Sequence, residues 1–276
     1  MNYNDLILGM KRFGSTEEDI CINGLGISKE FIKENVIIAP WWEPSVLPKL
    51  GEAKYLSPSD FAPTKVWNIK YNKTEISYIK TGIGAPVLMD SLLSLGVSKC
   101  KRIIFIGSVG SLDRSIGIGD IVIPEYSICG DGASRYISSK DLYNDIFGEK
   151  ACPDKFMFDV ALSKIDTICK ENNVKWHIGR TFSIDTVFAQ FAHIDAILDM
   201  GVNSIEMETA SAFRAARLMN IPIIALLSTS DNTMTNKSLV SGRTSEEMEY
   251  RKFVRRELFP QIILSVFSEV GGNDDY

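Results

Sequence analysis

Apolar and polar residues alternate between two periods along this chain. Val36-Ile37-Ile38-Ala39-Pro40 is a short apolar run closed by proline, which predicts a buried strand. Lys65–Tyr71 and Glu75–Lys80 flank Asn72-Lys73 and predict a hairpin. Ala85–Leu95 has helical spacing, with Gly84 and Pro86 at its start and Gly96 at its end. Arg102–Ile106 predicts a strand running into a glycine turn at Gly107-Ser108-Val109-Gly110, and Asp120–Pro124 predicts another strand. Phe156–Asn172 reads as a helix, His177–Phe182 as a strand, and Ser204–Met207 as a strand end entering a helix over Glu208–Met219. Ile221–Ser228 is a strongly apolar strand, and Ser245–Val270 closes the chain as one or two helices. Strands separated by helices predict an α/β fold with a largely buried sheet.

Residues 1–35 lack a clear period and read as a short helical appendage; 36–270 read as a single domain, and the tail from Gly271 as unstructured. The 276 residues are enough to bury a sizeable core. A net charge of −5, with both signs mixed along the chain, argues against nucleic acid as a partner. No apolar run approaches a membrane span, and the N-terminus does not read as a signal peptide, so no membrane partner and a cytoplasmic location are expected. Five cysteines without a Cys-x-x-Cys pair point to reduced thiols rather than a disulfide framework or a metal site.

Four segments have chemistry to offer. In Gly107–Ser111, glycines open backbone N–H groups toward an anion and Ser108 adds a hydroxyl, although a turn needs glycine for steric reasons alone. In Ile205-Glu206-Met207-Glu208, a carboxylate can accept both hydroxyls of a ribose diol over a thioether floor, or merely favour a helix N-terminus. Leu227-Ser228-Thr229-Ser230-Asp231 delivers an aspartate at the C-terminal end of a strand, suited to a general acid or to a turn. Phe182, in Gly179–Asp185, can stack on a base or pack in the core.

Together these segments resemble the nucleoside phosphorylase-I superfamily: purine nucleoside and uridine phosphorylases with the methylthioadenosine/adenosylhomocysteine and AMP nucleosidases. The resemblance spans roughly Val36 to Leu264. It implies a mixed sheet curling into a partial barrel flanked by helices, and a homo-oligomer, either a dimer or a trimer of dimers. It implies Glu208 as ribose ligand over Met207, and Ile205, Glu206, Ser108 and Gly110 as pocket residues. Phe182 is implied beside the base, Asp231 as proton donor to purine N7, and Arg243 as its assistant. No metal or organic cofactor is implied; the expected ligands are a nucleoside and inorganic phosphate as co-substrate. Asp131-Gly132-Ala133-Ser134 is closer to the uridine branch.

The chain departs from the phosphorylase pattern where phosphate is held. Ala39-Pro40-Trp41-Trp42-Glu43-Pro44 replaces a Gly-Asp-x-x-Arg-like turn, and Phe105 stands where an arginine is expected. Nucleosidases also lack these arginines and activate water with a glutamate near the first strand; Glu43 falls at or beside it, or is an ordinary loop carboxylate. The expected reaction is therefore cleavage of a purine nucleoside by phosphate, with hydrolysis through Glu43, a uridine phosphorylase-like activity and a non-catalytic nucleoside-binding module as alternatives. Lys65, Lys237 and Arg243 are the candidate cations for an unfamiliar phosphate site.

Overall fold

The computed structural model describes residues 1–58 and 64–272. Ten strands form one sheet: β1 (Asn35–Ala39), β2 (Glu52–Tyr55), β3 (Lys65–Tyr71), β4 (Thr74–Lys80), β5 (Arg102–Ser111), β6 (Ile121–Gly130), β7 (Lys150–Ala151), β8 (Trp176–Ile184), β9 (Ser204–Glu206) and β10 (Ile223–Asn232). The order β10-β6-β8-β9-β5-β1-β4-β3-β2 is closed by a further β10–β5 pairing. Strands β5, β10, β6, β8 and β9 thus make a five-stranded mixed barrel, and β1, β4, β3 and β2 extend it as a wing. The helices are α1 (Tyr3–Arg12), α2 (Glu17–Leu25), α3 (Ala85–Leu93), α4 (Arg135–Ser138), α5 (Lys155–Glu171), α6 (Val187–Ala192), α7 (Ile194–Asp199), α8 (Thr209–Met219), α9 (Ser245–Phe253) and α10 (Phe259–Gly272).

The sheet divides the core because side chains alternate across it. On β5, Ile103, Phe105 and Val109 join one cluster with α3 and α8, while Ile104 and Ile106 join a second with α5 and α10. Phe105 is 1% exposed, so the position where an arginine was expected is core. Residues 1–35 form α1 and α2, each opened by a capping box. Cys21, Leu25 and Ile32 enter the first cluster, and Tyr3 Oη donates to the Leu93 carbonyl at 2.6 Å, so both helices are packed onto the domain.

Three strands run well beyond the hydrophobic pattern. β6, expected over Asp120–Pro124, continues to Gly130 because β8 pairs with it along its length. β5 continues through Gly107–Ser111 because β10 and then β9 pair with it there, so the expected glycine turn is strand. β10 likewise continues through Ser230 and Asp231 to Asn232. Gly271 and Gly272 end α10 rather than beginning the tail; positions 273–276 lie outside the described residues.

At the far end of the chain, α9 packs on the Gly117–Asp120 turn. Asp120 accepts hydrogen bonds from the Gly117 N–H at 2.8 Å and from Tyr250 Oη at 3.4 Å, and pairs with His177 Nε2 at 2.8 Å. Gly119 has φ of +91°, and a Cβ there would lie 2.7 Å from the Tyr250 ring and 2.9 Å from Arg251 Cα. Gly119→Ala therefore combines left-handed strain with a clash against α9. The expected loss is about 2–4 kcal/mol, read as a lower unfolding midpoint in urea at unchanged slope.

Candidate active site

The β5–β10 pairing assembles the first half of the site. Ser228 pairs with Ser108 and Thr229 with Val109; the register then shifts, leaving Ser230 as a bulge and setting Asp231 opposite Gly110. Bulges re-aim side chains, and this one brings the Asp231 carboxyl over Gly110. A Cβ on Gly110 would sit 2.9 Å from Asp231 Oδ2 and 3.3 Å from Ile205 Cγ2, so the glycine is needed for this close approach. Ser230 Oγ donates to Asp231 Oδ1 at 2.6 Å. Arg243 Nη1 donates to the Ser230 carbonyl at 3.1 Å, and its Nη2 donates to the Leu239 carbonyl, which places Arg243 beside Asp231. Burial pushes the Asp231 carboxyl up; the Ser230 hydroxyl and the charges of Arg251 and Arg243 oppose this less strongly.

The second half forms where β9 enters α8. Glu206 is buried and accepts from the backbone N–H groups of Glu208 and Thr209, both at 2.7 Å, and from Ser183 Oγ at 2.5 Å. It satisfies N–H groups at the open N-terminus of α8. Met207 is half-buried. Glu208, 6% exposed, accepts from the Gly84 N–H at 2.6 Å, which ties α8 to the loop before α3. Burial, and then the charge of Glu206, raise the Glu208 carboxyl to about 8. Burial raises the Glu206 carboxyl as well, and its three hydrogen-bond donors oppose this.

Ile205 links the halves, since it pairs with Gly110 across β5–β9 and with Phe182 across β8–β9. Phe182 is 2% exposed, packed in a cluster with Ile205, Ile184 and Ile197, and edge-on to Phe147 at 6.1 Å. Its ring has a packing role whichever ligand comes near. Of the adjacent tryptophans, Trp42 is buried against Phe259, while Trp41 is exposed beside Lys80.

Glu43 lies beyond the end of β1, paired with Lys80 at 2.8 Å and Lys65 at 3.9 Å. The Lys80 hydrogen bond holds its carboxyl below the usual range. The three cations proposed from sequence are not gathered into one site: Lys65 faces Glu43, Lys237 is bonded to Glu247, and Arg243 is tied to carbonyls. The sequence reading missed a different one. Arg251, 7% exposed on α9, donates from Nη2 to Ser108 Oγ at 2.8 Å. The signal was present in Arg251-Val254-Arg255-Leu258, where arginines occupy the apolar stripe of a helix.

A family model for the phosphorylase superfamily matches residues 40–256. The chain belongs to the phosphorylase superfamily. It is an enzyme of the nucleoside phosphorylase type. It is 26% identical over 192 residues to a guanosine phosphorylase of Halorubrum lacusprofundi, covering 68% of this chain and 74% of that one. It is 27% identical over 185 residues to a DeoD-type purine nucleoside phosphorylase of Lactococcus lactis, covering 65% and 70%. In fold it is similar to the crystal structure of uridine phosphorylase from Vibrio fischeri, with TM-score 0.72 at 19% identity over 93% of this chain and 98% of that one. Purine nucleoside phosphorylase from Toxoplasma gondii, solved with immucillin-H, gives TM-score 0.67 at 16% identity, covering 88% and 94%.

The Glu208 carboxyl sets a pH dependence. Its folded pKa of about 8 lies above the ordinary 4.5, so the folded chain holds a proton that the unfolded chain releases. Its contribution to stability is fully present below pH 4.5 and is lost as pH rises through about 8. Thermal melts from pH 5 to 9 should show this decline, and Glu208→Gln should flatten it. An equally steep decline in the variant assigns the effect to another group.

Proposed function

We propose that this phosphorylase-family enzyme cleaves the N-glycosidic bond of a purine nucleoside by phosphorolysis, giving free base and ribose 1-phosphate. The observation that carries the purine reading is Asp231: a carboxyl raised by burial, aimed over Gly110, with Arg243 alongside. A carboxylic acid kept protonated can donate to purine N7 as the bond to ribose lengthens, and the departing base then leaves neutral. Glu208, over Met207, accepts the ribose hydroxyls once ionised, and Ile205 lines the wall between sugar and base. Charge develops on the ribose in an oxocarbenium-like state, which phosphate captures on the face near Ser108.

Phosphorolysis is favoured over hydrolysis by the state of Glu43. A general base must accept a proton, and Lys80 holds the Glu43 carboxyl ionised with its basicity lowered. Hydrolysis through Glu43 remains the second reading, because both phosphate arginines of the family pattern are replaced here. A uridine substrate is the alternative on the base side. Both are decided by incubating the enzyme with inosine, guanosine, adenosine and uridine, with and without phosphate, and separating ribose from ribose 1-phosphate. Phosphate-dependent release of purine base is expected. Release of free ribose without phosphate, abolished by Glu43→Gln, would replace phosphorolysis with hydrolysis.

Asp231→Asn should lower purine turnover by roughly 10²–10⁴-fold, the range of a lost general acid, with little change in the unfolding midpoint. Near wild-type turnover on purines would remove the acid role. The working unit is proposed to be a homo-oligomer, at least a dimer. Ile83 and Val87 near Gly84, and Phe188 and Phe191 on α6, are exposed apolar side chains of the kind that a second copy covers. Light scattering at micromolar concentration should give a mass of at least twice 30.8 kDa; a mass of one chain refutes the oligomer.

A further inference from the structure

The face of the barrel at Ser108 has more positive charge than the described residues neutralise. Arg251 is more than nine-tenths buried; its Nη2 donates to the Ser108 hydroxyl, and its buried Nε has no partner among the described residues. Four residues on, Arg255 also has a buried, unpartnered Nε, and its guanidinium stacks over Trp42 at 5.5 Å from the ring centre. Among the described residues, neither arginine has an ion pair. Burial, and then the charges of Arg255 and Arg243, pull the Arg251 guanidinium down to about 10. The charge of Asp231 opposes this shift, and the Asp231 carboxyl is itself raised by burial.

Three further observations converge on this point. Ser228 is the register partner of Ser108, so its side chain lies on the same face of the sheet, and its buried hydroxyl also has no partner among the described residues. The helix carrying both arginines has a π-helical segment at Val254–Leu258, the wider turn that recurs where helices supply functional groups. Gly119 lets α9 approach the barrel closely enough for Arg251 to reach Ser108. Burying cations without counter-charges is costly and is offset when an anion binds between them.

We infer that Arg251, with Arg255 behind it, holds a phosphate dianion against the hydroxyls of Ser108 and Ser228. These arginines take the place of the cations missing from the Ala39–Pro44 turn and from Phe105. The dianion has two sources, inorganic phosphate or the phosphoryl group of a nucleotide. Its role in turnover rests on the phosphorolytic reading; its binding does not. Arg251 donates in-plane hydrogen bonds to two phosphate oxygens, Ser108 and Ser228 donate to others, and Arg255 adds charge while stacked on Trp42. No covalent step is assigned to either arginine.

The stack on Trp42 offers a readout independent of catalysis. Inorganic phosphate titrated into the enzyme without nucleoside should change tryptophan fluorescence saturably. Arg251→Met should weaken phosphate binding by roughly 10- to 100-fold, the fold-change of a lost charge-assisted bond. Arg251→Lys should fall between, because it retains charge but not the bidentate fork. Arg255→Met, at a less buried position, should weaken phosphate binding measured by calorimetry. In turnover, the KM for phosphate should rise while the KM for nucleoside stays within about threefold of wild type. Phosphate affinity within twofold of wild type in folded Arg251→Lys and Arg255→Met enzymes overturns the inference. A parallel titration with a nucleoside 5′-monophosphate separates the sources. Arg251-dependent binding of the nucleotide but not of free phosphate supports the anion site and overturns phosphorolysis. Arg251-independent binding of both overturns the site alone.

Discussion

The parallel pairing of β5 with β10 is the contact on which this structure depends. It converts an open sheet into a barrel, and its single bulge decides what the barrel presents. Without the register shift at Ser230, Asp231 would fall one position out of step with Gly110 and point to the other face, since a one-residue slip inverts a strand. The bulge is tolerated because Gly110 leaves the space and Asn232 anchors the strand beyond it, donating from Nδ2 to the carbonyls of Asp113 and Ile116 at 2.8 Å. Strand order, glycine placement and the environment of the carboxyl thus form one arrangement.

The carboxylates of the Glu-Met-Glu segment show how two like residues acquire different tasks. Glu206 faces three donors, including two N–H groups at a helix start, where charge is stabilised. Glu208, two residues on, meets the backbone N–H groups of Gly84 and Met207, but burial and the charge of Glu206 outweigh them and raise its carboxyl. The same logic, with opposite sign, governs Glu43, whose two lysines keep it charged.

Much of the fold was legible in the sequence because it is written in local pattern. β1, the β3–β4 hairpin, α5 and α8 fall where apolar periodicity and turn residues put them. The extensions of β5 and β10 were not, because Gly107–Ser111 and Ser228–Asn232 have weak strand propensity and are held as strand by pairing with distant partners. Asp231 and Glu208 stood out in the sequence as carboxylates at the ends of apolar runs, and the structure buries Glu208 and half-buries Asp231. Glu206 as a helix cap was foreseen only as one of two readings. Arg251 and Arg255 were not found, because charged residues on a C-terminal helix read as a solvated face until packing shows which side is buried. Lys65 and Lys237 were misjudged for the converse reason: their partners, Glu43 and Glu247, are visible only in three dimensions.

The closure of the barrel by its last strand also governs when the site can exist during biosynthesis. Val109 and Ser230, joined by a hydrogen bond across the seam, are separated by 121 residues. Contacts of such separation form late, because a long loop must close before any pairing energy is gained. A nascent chain can therefore complete the wing of β1 to β4 while β5 still waits for a neighbour, exposing an unpaired edge. Asp231, Arg251, Arg255 and the closing strand all lie in the final fifth of the polypeptide, so Glu206 and Glu208 are synthesised before the strand that closes the barrel.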